Sequence, residues 1–114
     1  MPGIINTHHH IYSAFARGMN LNNPPAKGFI DILENLWWRL DKELTIEDTR
    51  YSGYTTLIDS IKYGVTTVFD HHASPMHLEG SVFELGDVAK ELGIRACLCY
   101  ETSDRDGEEI LNKG

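Results

Sequence analysis

A chain of 114 residues with 41% hydrophobic and 24% charged residues has the size and composition of one globular unit. Its 10 basic and 17 acidic side chains leave a formal charge of -7, scattered rather than blocked, so there is no basic stripe for a phosphate backbone and nucleic acid is not an expected partner. No apolar run reaches the roughly 20 residues of a membrane span, and "MPGIINTHHH" lacks the basic and long apolar regions of a signal peptide; no membrane partner is expected, and the expected compartment is the cytoplasm.

In chain order, "GIIN" reads as a short strand that runs into three consecutive histidines, His8, His9 and His10. "NLNNPPAKG", residues 20 to 28, clusters Asn, Pro and Gly as an irregular linker does. From Phe29, the apolar positions Ile32, Leu33, Leu36, Trp37 and Leu40 recur at helical spacing and predict a first helix ending near Lys42. Thr45, with Asp48 three places on, reads as an N-cap. Ile46, Gly53, Leu57, Ile58 and Ile61 then carry a second helix of about five turns to a stop at Gly64. "GVTTVFDHH" is rich in β-branched and aromatic residues and predicts a buried strand ending in polar groups. Leu85, Val88, Ala89 and Leu92, stopped by Gly93, mark a third helix, and "IRACLCYE" the third strand. Cys97 and Cys99 share a face of that strand, poorly placed to bridge each other, and are expected as buried thiols. Strands separated by helices imply an α/β fold with a parallel sheet.

Strand geometry sorts the histidines. Successive side chains point to opposite faces, so His8 and His10 share a face and His9 points away. Two imidazoles on one face, two residues apart, can both reach one metal ion at about 2.0 to 2.1 Å. They also fall at the carboxyl end of a strand, where parallel α/β folds gather their active sites. A purification scar is a poor alternative, because the run is embedded between "GIIN" and "IYSAF". On the second strand, Thr66, Val68, Asp70 and His72 share one face and Val65, Thr67, Phe69 and His71 the other. The bulkier second face is expected under the helices, leaving Asp70 and His72 toward the site; a one-residue slip would exchange His71 for His72, so both are candidates.

"PGIINTHHH" resembles the first-strand signature of the amidohydrolase superfamily, with His8 and His10 on its two metal-ligand positions. "GVTTVFDHH" is similar to the second strand of the branch holding cytosine, guanine and S-adenosylhomocysteine deaminases and the triazine hydrolases, and "YSAFARG", "LWWRLDKELTIED", "HHASP" and "CLCYETSDRDGEE" extend the likeness across residues 1 to 114. The resemblance implies a partial (β/α)₈ barrel: about the first three parallel strands with their helices, the N-terminal portion of a domain that typically needs about 250 residues. It carries over His8 and His10 as metal ligands and places no catalytic residue in the chain, the other ligands and the proton shuttle belonging to later strands.

The cofactor so implied is a divalent metal ion, zinc by preference, acidifying a water for attack on a small cyclic C–N substrate. His72, His71, Asp70 and Trp38 are the candidate substrate-binding residues. Trp38, with Trp37, would offer a stacking wall for a planar heterocycle, or else the two pack under the barrel and at a subunit contact. Tyr100, Glu101 and Asp104 reach toward the same end, although "SDRDGEE" reads equally as a solvated helix start. A chlorohydrolase of the same superfamily is the alternative, and an independent metal-binding or interaction module the reading from another class. Exposed barrel edges predict self-association or a homo-oligomer.

Overall fold

The computed structural model describes residues 1–19 and 22–114; Asn20 and Leu21, the first two residues of the expected linker, lie outside the described residues. Three strands, β1 (Ile4–His9), β2 (Val65–His72) and β3 (Arg95–Tyr100), lie side by side in that order, all parallel. The connection from β1 to β2 holds a 3-10 turn (Ile11–Ala16), α1 (Phe29–Ile32), a π-helical turn (Leu33–Trp37), α2 (Trp38–Glu43) and α3 (Ile46–Lys62). From β2 to β3 the chain passes through a second 3-10 turn (Pro75–His77) and α4 (Ser81–Leu92), and α5 (Glu108–Lys113) follows β3. The expected order of strands and helices is therefore found. No helix among the described residues is long and apolar enough to cross a membrane.

Local chemistry accounts for most boundaries. The Thr45 hydroxyl accepts from the Asp48 N–H at 3.1 Å while the Asp48 carboxylate accepts from the Thr45 N–H at 3.0 Å, closing the capping box that starts α3. Gly64 and Gly93, with φ of 79° and 73°, end α3 and α4 in the left-handed region that favours glycine. The first expected helix is correct in extent but not continuous. The π turn at Leu33–Trp37 carries one residue more than an α turn, shifting the apolar stripe so that Leu40 and Asp41 are buried while Phe29 and Ile32 stay exposed.

The core forms where α3 and α4 cover one face of the sheet. Leu57 from α3, Leu85, Val88 and Ala89 from α4, Val68 from β2, and Ile11 and Ile94 bury together, each large aliphatic side chain contributing about 1.5 to 3 kcal/mol. A second cluster of Tyr12, Leu40, Leu44 and Ala73 lies at the carboxyl ends of β1 and β2.

This packing reverses the expected faces of β2. Val68, Asp70 and His72 lie on the helix side, 0%, 3% and 0% exposed, whereas Phe69 is 42% exposed on the opposite face. The slimmer face wins because Val68 fits under the closely packed α3 and α4, while Asp70 and His72 each satisfy one polar atom, by bonding to the Ile11 N–H and the Ser74 hydroxyl. The expectation of buried cysteines is also overturned. Cys97 and Cys99 are exposed, because they stand beside Phe69 and His71 on the face the helices leave open.

Two expectations for stability follow. A Cβ built on Gly3 would come within 2.2 Å of Thr66 Cγ2, so Gly3→Ala should lower stability by about 1 to 3 kcal/mol, and Thr66→Ser, which removes that methyl, should restore much of it in a double-mutant cycle read by urea unfolding. Burial holds the His72 imidazole down at about 4 against an ordinary 6.5. Between these values the unfolded chain binds the extra proton and the folded one does not, so stability falls as pH falls through that window. Comparison of wild type with His72→Gln at pH 7 and pH 4.5 should show the variant gaining roughly 2 to 3 kcal/mol relative to wild type; equal pH dependence of the two proteins would contradict it.

Candidate metal and substrate site

At its carboxyl end β1 departs from regular pairing. Asn6 stands opposite Val68 and His9 opposite Asp70, so β1 carries one residue more than β2 over this stretch, a β-bulge. The Asn6 side chain closes the bulge locally by accepting from the His8 N–H at 3.3 Å. Beyond it the rings of His8 and His10 meet edge to face, with their Nε2 atoms 3.1 Å apart. His10 Nδ1 donates to the backbone carbonyl of His71 at 3.0 Å. A carbonyl only accepts, so that bond puts the proton on Nδ1 and leaves the Nε2 lone pair of His10 pointing at His8.

This geometry fits a divalent ion. Two nitrogen ligands of a tetrahedral zinc at about 2.0 to 2.1 Å lie roughly 3.3 Å apart, close to the separation here. A metal-ligating histidine also characteristically donates its other N–H to a carbonyl or carboxylate, as His10 does. The set is nonetheless a pair. Among the described residues no group of three or more His, Cys, Asp or Glu side chains converges on one point.

The two rings open into a cleft of about 330 Å³ whose other walls include Tyr12, Trp37, Trp38, Asp41 and Glu101. A wider groove of about 630 Å³ runs along the outer side of α2, but no histidine lines it. The helical wall is held by Arg105, which donates to Asp41 at 2.6 Å and to Glu101 at 3.0 Å, with its guanidinium 5.5 Å from the centre of the Trp38 ring. Lys42 adds an ion pair to Asp106 at 2.7 Å. Burial raises the Asp41 carboxyl above the usual range, against the opposing pull of Arg105. Tyr12 is pushed up to about 12 by burial and by the neighbouring carboxylates of Asp41 and Glu101; its phenol stays protonated at neutral pH and is available as a donor.

Of the residues singled out from sequence, the structure brings His8, His10 and Trp38 to one cleft and sets the His71 ring 5.5 Å from that of His10. His9 turns away, as strand alternation expects, with Nδ1 3.7 Å from an Asp70 carboxylate oxygen. Asp70 and His72 do not line the cleft; they are buried on the helix side, where Asp70 accepts from the Ile11 N–H and His72 meets Ser74. Glu101 lines the cleft, as reasoned. Tyr12, Asp41 and Arg105 were missed. An acid within the apolar stripe beside Leu40 is a signal that points to Asp41, but nothing local marks Arg105, whose partner is 64 residues away.

With this geometry in hand, comparison with known proteins is specific. The chain is 34% identical over 100 residues to the 8-oxoguanine deaminase of Pseudomonas aeruginosa, covering 86% of this chain and 21% of that protein. It is 32% identical over 117 residues to the 5-methylthioadenosine/S-adenosylhomocysteine deaminase of Halothermothrix orenii, covering 99% and 24%. The fold matches a variant of atrazine chlorohydrolase from Arthrobacter aurescens, solved with zinc and atraton, at a TM-score of 0.72 and 26% identity, over 87% of this chain and 23% of that one. It also matches E. coli guanine deaminase at a TM-score of 0.73 over 96% and 24%, where 18% identity speaks for the fold alone. The chain thus spans between a fifth and a quarter of the length of these proteins, and its three parallel strands with their helices are an α/β, partial (β/α)₈ barrel. Residues 1–113 match the family model described as the amidohydrolase family, and the chain belongs to that family.

Proposed function

We propose that residues 1–114 are the N-terminal portion of a barrel domain whose whole protein is a metal-dependent aminohydrolase, removing an amino group from a small cyclic C–N substrate such as an aminated heterocycle. The observation that carries this reading is the convergence of His8 and His10 Nε2 at the mouth of an aromatic cleft, with the His10 tautomer set by the His71 carbonyl. The deaminase relatives support the reaction class, and the zinc in the chlorohydrolase structure supports the choice of metal.

In this reading His8 and His10 would hold the ion through Nε2. Such an ion would supply one piece of chemistry, lowering the pKa of a bound water to about 7 and so providing a hydrolytic nucleophile at neutral pH. Trp37, Trp38 and Tyr12 offer flat apolar surface to a planar ring. The Tyr12 phenol donates, while Asp41 and Glu101 accept from ring or exocyclic N–H groups. No residue of the chain is assigned to bond breaking. Removal of chloride is the second reading, favoured by the 26% identity to the atrazine chlorohydrolase. The unpaired outer edges of β1 and β3 and the exposed face around Phe69 also favour self-association.

Two outcomes test the reading. Zinc titrated into the 114-residue chain and followed by histidine ring ¹⁵N shifts should bind weakly, since two protein ligands fall short of the usual three or four. His8→Ala and His10→Ala should each abolish binding and His9→Ala retain most of it; binding that survives the first two and is lost in the third would reverse the ligand assignment. The whole protein containing this chain, assayed on aminopurines, aminopyrimidines and chloro- and aminotriazines, should release ammonia, and its activity should fall more than about 100-fold in His8→Ala or His10→Ala. Chloride without ammonia would replace the first reading by the second.

A further inference from the structure

Asp70 is a carboxylate with a fully buried side chain, set behind the histidine pair rather than in its cleft. One oxygen accepts from the Ile11 N–H at 2.6 Å and lies 3.7 Å from His9 Nδ1, while the other oxygen is buried without a partner. No lysine or arginine forms an ion pair with it among the described residues. Burying a carboxyl group with one oxygen unpaired is unfavourable, so an acid at this position calls for a role beyond filling space.

The bulge supplies the need. Because β1 pairs irregularly between Asn6 and His9 and its ladder with β2 ends at the His9 and Asp70 pair, the ladder alone fixes neither His8, inside the bulge, nor His10, beyond the strand end. Two side-chain bonds then tie the end of β1 to β2: His10 Nδ1 to the His71 carbonyl, and the Asp70 carboxylate to the Ile11 N–H. The first orients one ring directly. The second pins the residue after His10, and with it the direction from which both rings leave the strand.

We propose that Asp70 is the positioning residue of the His8 and His10 pair, acting through its bond to the Ile11 N–H from the helix side of the sheet. The inference rests on the metal reading only for its consequence in affinity; its consequence for the His10 tautomer stands without any metal. An acceptor at the right distance is what the geometry requires. Asn at position 70 retains such an acceptor, Ala removes it, and Glu keeps the charge but moves the oxygens by one methylene.

The 114-residue chain and its variants are compared by histidine ring ¹⁵N spectra before and during titration with zinc chloride, alongside amide exchange. Asp70→Ala should lower zinc affinity by about 10- to 100-fold, the range for groups that orient metal ligands, and mix the two His10 tautomers in the absence of zinc. Asp70→Asn should keep the wild-type tautomer and an affinity within about threefold of wild type. Gly93→Ala, which destabilises by forcing a side chain onto a left-handed φ of 73° at the end of α4, should leave both readouts unchanged wherever the protein is folded. If Asp70→Ala does not fold, Asp70→Glu carries the test and should lose affinity several-fold with mixed tautomers. A single wild-type tautomer in folded Asp70→Ala or Asp70→Glu overturns the inference, as does an equal change in Gly93→Ala. Absence of zinc binding to the wild-type chain, with the tautomer effect intact, overturns the metal reading and leaves the positioning role standing.

Discussion

Packing of Val68 among Leu57, Leu85 and Val88 is the constraint on which the rest of the structure depends. A strand has two faces and period two, so once Val68 goes under α3 and α4 every other side chain of β2 is assigned. Asp70 and His72 follow Val68 into the interior, and Phe69 and His71 go to the open face beside Cys97 and Cys99. The pairing of β1 with β2 then brings His10 to the His71 carbonyl and His9 to Asp70. Exposed ion pairs between α3 and α4, such as Arg50 with Glu84 at 2.9 Å, add little to this.

The site has a rigid side and a built side. The histidines stand on a strand end and are held from β2, whereas the aromatic wall stands on a helical segment that meets the sheet through the small cluster of Tyr12, Leu40, Leu44 and Ala73. Arg105 compensates for that limited contact. It reaches from the segment after β3 to Asp41 and Glu101 and lies over Trp38, so one guanidinium joins three of the groups that line the cleft. The π turn at Leu33–Trp37 belongs to the same construction, because its extra residue turns both tryptophans toward the histidines.

The chain is similar to proteins named for different reactions. Deaminases and a chlorohydrolase both match the chain over nearly all its length. That is physically reasonable for a segment that offers a histidine pair and an aromatic cleft: neither distinguishes an amino group from a chloride. Discrimination between leaving groups demands polar contacts at the reacting carbon, and the polar residues of this cleft, Tyr12, Asp41 and Glu101, carry hydrogen-bonding groups with no preference of that kind.

Much of the molecule was legible in advance, for reasons that are local. Strand alternation alone separated His8 and His10 from His9, the reciprocal Thr45 and Asp48 bonds announced α3, and Gly64 and Gly93 marked its end and that of α4. Gly53 falls in the apolar stripe of α3 for a reason that lies in the packing, since a Cβ there would approach Leu85 to 3.2 Å. What the sequence determined by itself is therefore the order of elements, the parallel sheet and the juxtaposition of His8 with His10, because each depends on periodicity or on residues a few positions apart. Only the tertiary structure decided which face of β2 turns inward, that Cys97 and Cys99 are exposed, and that Asp41 and Arg105 meet at 2.6 Å. Those outcomes depend on which helices cover which face and on contacts across as many as 64 residues, and no local pattern encodes a choice between two faces that both carry apolar and polar side chains.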